Sequence, residues 1–230
     1  QNACDESVPY GPEGNDSQAR YTADGQLDPE GSPLDNMRTI LGSMAGDAAW
    51  VGGEWDLYAG IAQAPVYTLT DDDLAGGAEE FVADAANDER FNSVRGRYFG
   101  PESEGASVYV DKDAPPYSSA TYVSADGGTR SWLEVDLPLT TDVWRAQRIQ
   151  RLMLHRARNA AVWRTTYNMG AYPVRAGQWV RCKHTEYGWD ELDSDQGKLF
   201  QVRERRMLPS GDIELAMVET AASIFSWNYD

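Results

Sequence analysis

Cys182-Lys183-His184 places one of the two cysteines beside one of the two histidines in a chain of 230 residues. A thiol and an imidazole in reach of each other are the parts of a nucleophile–base pair or, with more ligands, of a zinc site. The run Trp179–His184 alternates as a strand does, and residues two apart on a strand share a face. Val180, Cys182 and His184 therefore look one way, and Trp179, Arg181 and Lys183 the other. Zinc needs three or four ligands, commonly in close-spaced pairs. Only Cys4 and His155 remain to supply thiol or imidazole, and neither stands in such a motif. A cysteine nucleophile needs a base that a third group orients, and the sequence names no such partner for His184. The expectation is a structural strand: no catalytic residue, no metal, no cofactor and no enzyme activity.

The other chemical signals are equally thin. Asp71-Asp72-Asp73 invites calcium, but the twelve-residue loop with Gly at its sixth position and Glu at its twelfth is absent. Thr70 with Asp73 three residues on reads instead as the cap of a short helical turn, with the carboxylates at the positive end of its dipole. Neither phosphate-binding glycine loops, nor GxSxG, nor HExxH occurs. A carboxylate pair for glycoside hydrolysis could hide among 37 acidic residues, and eight tryptophans could form a sugar-stacking platform. Trp50, Trp55, Trp132, Trp163 and Trp179, however, sit at hairpin or strand positions where burial is the default.

A net charge of −17 argues against a protein that binds nucleic acid by neutralising phosphates. The charge is uneven. Residues 141–183 carry nine Arg and Lys against Asp142 alone, a basic belt suited to acidic surfaces of the same chain or of a neighbouring copy, or to a solvated helix face. With 41% hydrophobic residues the chain can bury a real core, and no apolar run approaches the ~20 residues of a membrane span. The chain opens on Gln1 without a charged-then-apolar leader, which reads as a piece of a longer protein or a mature secreted chain. Cys4 and Cys182 read as free thiols of an intracellular protein, with a disulfide between them unsupported.

These residues must be carried by a mixed set of elements. Residues 1–33 read as loop with a short strand at Ala19–Thr22. Ser32 and Pro33 open a helix over 33–45, with Leu34, Met37, Ile40, Leu41 and Met44 on one face and Gly46 as its stop. Gly52-Gly53 marks a hairpin over 48–59, and strands follow at Val66–Leu69 and Phe91–Gly100. Residues 101–131, broken by Pro101, Pro115, Pro116 and Gly127-Gly128, read as a long excursion. A strand at 131–139 ends at Pro138, and a helix runs from Asp142 to about Arg158. Four strands close the chain, the last two joined at Ser210-Gly211. The expected fold is α+β, mainly β: a small α/β part over 1–90, then an antiparallel β-barrel-like domain over 91–230 with one packed helix.

Several segments, taken in order, resemble the phage tail tip attachment protein J (host specificity protein J) family. They are SPLDNMRTILGSMAGDAAWVGGEWDLYAG, TLTDDDL, RFNSVRGRYFGPE, LPLTTDVWRAQRIQRLMLHRAR, AGQWVRC with YGWD and LFQVRE, and GDIELAMVETAASIFSW. The resemblance covers most of residues 20–227 and is weakest at 101–131. It implies a hub part of a longer chain: trimeric around the distal tail end, a component of the virion made in the bacterial cytoplasm, associated with other tail proteins. It further implies that DNA passes without specific binding, that the host receptor is met by other parts of the chain, and that there is no active site. On that reading Arg145, Arg148 and Arg151 are the candidate assembly interface. The alternative is a secreted carbohydrate-binding or glycan-hydrolysing domain built on exposed tryptophans.

Overall fold

The computed structural model describes residues 3–10, 16–77, 79–83, 91–103, 105–159, 161–192 and 196–226. The fold is α+β and mainly β. A small hairpin, β1 (Ser7–Tyr10) with β2 (Asp16–Ala19), leads to helix α1 (Pro33–Ser43) and a second hairpin, β3 (Asp47–Val51) with β4 (Glu54–Tyr58). The expected strand at Ala19–Thr22 thus forms three residues earlier. Helix α1 starts at Pro33 as expected, but its Ser32 side chain caps nothing. It also stops before Gly46: Ala45 takes the left-handed conformation (φ 44°), and the Gly46 amide reaches back to the Leu41 carbonyl.

Strands β5 (Tyr67–Thr70), β6 (Glu80–Val82), β10 (Val162–Tyr167), β11 (Trp179–Lys183), β12 (Lys198–Met207) and β13 (Ile213–Glu219) form one six-stranded sheet in the order β5-β11-β12-β13-β10-β6. This corrects the expected antiparallel barrel in two ways. The sheet is open, since its edge strands β5 and β6 do not pair with each other, and β5 runs parallel to β11. The edges are bridged rather than closed: between them Leu74 pairs with Tyr167, and the Asn168 amide donates to the Asp73 carbonyl. Inside the curl lie Leu69, Trp163, Tyr167, Val180, Cys182, Trp189, Phe200, Val202, Leu215 and Met217. Strands from residues 67–82 thus belong to one sheet with strands from 162–219. The expected division at 90/91 adjoins residues 84–90, which lie outside the described residues.

The excursion expected over 101–131 is instead largely regular. Strand β8 (Tyr109–Ser118) flanks the central strand β7 (Ser93–Pro101) antiparallel, β9 (Trp132–Leu137) flanks it parallel on the other side, and a short helix α2 (Ala120–Ala125) connects β8 to β9. Proline hid β8 in the sequence. On an edge strand, Pro lacks only an N–H that no neighbour needs, and Pro115 and Pro116 fall where the register shifts between Val94 and Gly96. Helix α3 (Val143–Arg158) packs on this three-stranded sheet through β7 and β8. Its Ala146, Ile149 and Leu152 share a core with Ala114, Leu137 and Trp179, the last from the outer face of the six-stranded sheet. No residue of α3 is fully exposed, and no helix among the described residues is long and apolar enough to cross a membrane.

Candidate functional site

Strand β11 has the expected alternation. Val180 and Cys182 are fully buried and His184 is 1% exposed, all toward the inside of the curl. Trp179 turns to the opposite core. The partner that the sequence could not name for His184 is Asp71, 113 positions away. His184 Nδ1 donates to Asp71 Oδ1 (2.8 Å), and the Tyr167 hydroxyl lies 3.1 Å from Nε2. Asp71 also accepts from the Thr185 amide and hydroxyl (3.1 and 2.7 Å), and Tyr167 in turn hydrogen-bonds Cys182. The Thr70–Asp73 capping box is present on both sides and fixes the turn that presents Asp71.

The constellation has the parts of a catalytic relay, but its electrostatics run the other way. Burial pushes the Cys182 thiol and the Tyr167 hydroxyl well above their ordinary values, so both keep their protons at neutral pH. A nucleophilic thiol needs a lowered value and access. Burial would raise the Asp71 carboxyl, but its bonds from Thr185 and His184 outweigh this and hold it below the usual range. Asp71 directly follows β5, His184 directly follows β11 and Tyr167 ends β10, so the network ties β5 to the far side of the curl. Trp163 and Trp189 pack edge-on against the imidazole at 4.7 and 6.2 Å. Among the described residues, no group of three or more His, Cys, Asp or Glu is arranged to hold a metal ion.

The arginines of α3 pack within the same chain, one of the settings expected for the basic belt, but mostly on main-chain carbonyls rather than on carboxylates. Arg148 is 3% exposed and donates to the carbonyls of Arg20 (2.9 Å) and Pro9 (3.4 Å). Arg145 Nε donates to the Ala19 carbonyl (3.2 Å), and Arg151 to the carbonyl of Ser226. Arg156 donates to the Ala45 carbonyl (2.6 Å), and Arg158 grips Asp126 with two bonds of 3.0 and 2.9 Å. Five cations of the belt are thus used within the chain, holding the β1–β2 hairpin, the 222–226 segment, the end of α1 and α2 around one helix. A solvated helix face is not what they form. The only sequence sign was a basic helix inside an acidic chain.

The β3–β4 hairpin also departs from expectation. Its polar face meets the body: Asp47 pairs with Arg203 (3.2 Å), Asp56 lies 3.8 Å from Arg175, and the Tyr58 hydroxyl donates to the Ala176 carbonyl. Trp50 and Trp55 lie directly opposite each other, edge to face at 5.1 Å, with Leu57 on the same side. These three residues are exposed at 59%, 47% and 58%. Burial was the default for both tryptophans, and it holds for Trp163 and Trp179 instead.

A mainly-β fold whose buried polar groups tie elements together has the character of a structural part. Its architecture is shared with a chain of the virion of a native gene transfer agent particle. That chain superposes with a TM-score of 0.69 at 18% identity, over 90% of this chain and 43% of that one. Weaker likenesses are to prophage tail protein gp18 from Listeria monocytogenes EGD-e and to the 43 kDa tail protein of prophage MuSo2 from Shewanella oneidensis. The first has a TM-score of 0.42 at 12% identity, over 82% of this chain and 53% of that one. The second has 0.46 at 9%, over 87% and 54%. The chain therefore spans about half, or less, of the length of the structures it matches. No curated protein matches it. A family model described as "Putative phage tail protein" matches residues 32–165, more than half of the chain, and the chain belongs to that family. It is a phage tail protein, a component of the virion.

Proposed function

We propose that this chain is a structural module of the tail tip or baseplate hub, within the attachment protein J group of tail proteins. Three copies surround the tail axis, bound to neighbouring tail proteins, and longer parts of the same protein carry host attachment. It is synthesised in the bacterial cytoplasm and makes or breaks no covalent bond. The observation that carries this reading is the family match over residues 32–165, which takes in α1, the tryptophan hairpin, the three-stranded sheet and α3. Two further features support it. The polar clusters with chemical potential are engaged in tying strands together, and an acidic surface (net −17) keeps a passing DNA polyanion from sticking.

In this reading Arg145, Arg148 and Arg151 serve assembly indirectly, by holding the β1–β2 hairpin and the 222–226 segment in place for neighbours. The test is electron cryo-microscopy of tails from phage carrying the wild-type gene or alanine at all three positions. The wild type should place three copies at the distal end, and the triple variant should yield tails lacking an ordered tip. Density for this fold along the tube or at the head end would refute the hub reading. An intact tip in the triple variant would remove the arginines from it.

A further inference from the structure

The β3–β4 hairpin is an unfinished sheet. Its two strands have no third neighbour among the described residues, and two strands alone are marginal in water. The Gly52-Gly53 turn makes Val51 and Glu54 the closing pair, which exchanges hydrogen bonds. Bonded and unbonded pairs alternate from there. The N–H and C=O groups of Ala48, Trp50, Trp55 and Leu57 therefore point outward, to the two edges. Among the described residues, no other backbone group bonds them. An open edge is a template for another strand.

The two faces of the hairpin differ. Asp47, Asp56 and Tyr58 hold one face to the chain's own body. Ala48, Trp50, Trp55 and Leu57 form the other, which carries no charge. A chain of net charge −17 is repelled by its own copies, and on this face copies can meet with no charge between them. At 59%, 47% and 58% exposure, Trp50, Trp55 and Leu57 present roughly 400 Å² per copy. Two copies would bury about 800 Å² through these side chains, the scale of a passing contact. Three reach about 1,200 Å², where specific interfaces begin.

Three copies also use up the edges. The polar face is committed to each copy's body, so copies set around an axis with their bodies outside turn the tryptophan faces inward. β4 of one copy then lies beside β3 of the next, antiparallel throughout, and the ring closes with no edge left over. A two-fold pair would leave two edges open. We propose that the β3–β4 hairpins of three copies join in this way, with Trp50, Trp55 and Leu57 buried at the axis. The proposal rests on the three copies of the hub reading and names the surface that joins them. So joined, the hairpins close the axis at their level and must part for DNA to pass.

The experiment is analytical ultracentrifugation of the full chain at micromolar concentration, with melting curves to show that each variant is folded. Wild type should be a trimer. Trp50→Ala combined with Trp55→Ala should weaken assembly about a hundredfold or more. Ala48→Pro keeps both tryptophans and removes only an N–H that the hairpin itself does not use, so assembly should weaken about tenfold. Met169→Ala, which removes an exposed apolar side chain outside the hairpin, should change nothing. A trimer indifferent to either hairpin variant, or weakened as much by Met169→Ala, would overturn the proposal. So would a wild-type chain that stays monomeric, which would assign the face to a different tail protein, or one that stops at a dimer. The hub reading is judged separately, by where microscopy places the copies on the tail, so either can fail without the other being mistaken for it.

Discussion

At the scale of single residues, the fate of Cys182 and His184 turns on what surrounds them. The same thiol beside a cation or a helix N-terminus would be a reagent; here burial keeps it protonated and the neighbouring Tyr167 hydroxyl is spent on it and His184. Hydrogen bonds from Thr185 and His184 hold the Asp71 carboxyl below the usual carboxylate range. Its folded value lies below the ordinary carboxylate value of about 3.9, so its stabilising contribution is fully present above about pH 4 and is lost as pH falls through the folded value. Asp71→Asn should lower stability at pH 7 by about 1 kcal/mol, the worth of a net hydrogen bond at a half-exposed site. The gap between variant and wild type should narrow as pH falls below about 4, measured by urea unfolding across pH 2–7. A gap that stays constant down to pH 2 would mean that the carboxylate charge plays no part in the tie.

At the scale of elements, the central strand β7 is held tightly against its neighbour β9 at Gly96. A Cβ on Gly96 would lie 1.7 Å from the Val135 carbonyl oxygen of β9. The obstacle is backbone, so no side-chain rotation relieves it. Gly96→Ala should cost about 3 kcal/mol, a fall in Tm of roughly 6–12 °C by calorimetry. A fall under a degree would show that β9 can move aside freely. Helix α3 makes a related point about charge. Four of its five arginines end on main-chain carbonyls of the β1–β2 hairpin, of Ala45 and of Ser226. They give a basic helix the role that an apolar stripe has in most helices, that of gathering distant segments.

For the whole molecule, two cores share one scaffold. Trp179 and Leu199 belong to strands of the six-stranded sheet yet pack in the α3 core, while their neighbours Val180 and Phe200 fill the curl. Strands β5 and β6, early in the chain, are hydrogen-bonded to β11 and β10, late in it. Unfolding should therefore be one cooperative transition, with calorimetric and van't Hoff enthalpies equal. Two separated transitions would mean that the residues before 90 fold apart from the rest. An open sheet bridged at its rim and a hairpin with its tryptophans outward suit a part built to sit among others in a tail.

The sequence by itself determined what depends on neighbours a few residues away. The alternation of β11, the helix Val143–Arg158, the Thr70–Asp73 cap, the Gly52-Gly53 hairpin and the closing strands were all legible, because hydrophobic period and turn chemistry act locally. The resemblance in segment order pointed to a phage tail protein. Only the tertiary structure decided which face of a local element would meet the rest of the chain. It paired His184 with Asp71 across 113 residues, and turned Trp50 and Trp55 outward because Asp47 and Asp56 on the other face found Arg203 and Arg175. It made a strand of the proline-broken 109–118 segment because an edge needs one set of hydrogen bonds, not two. The physical reason is common to all of these. Local signals set what an element is, whereas its partners are set by contacts between segments far apart in the chain, which leave no spacing in the sequence to read.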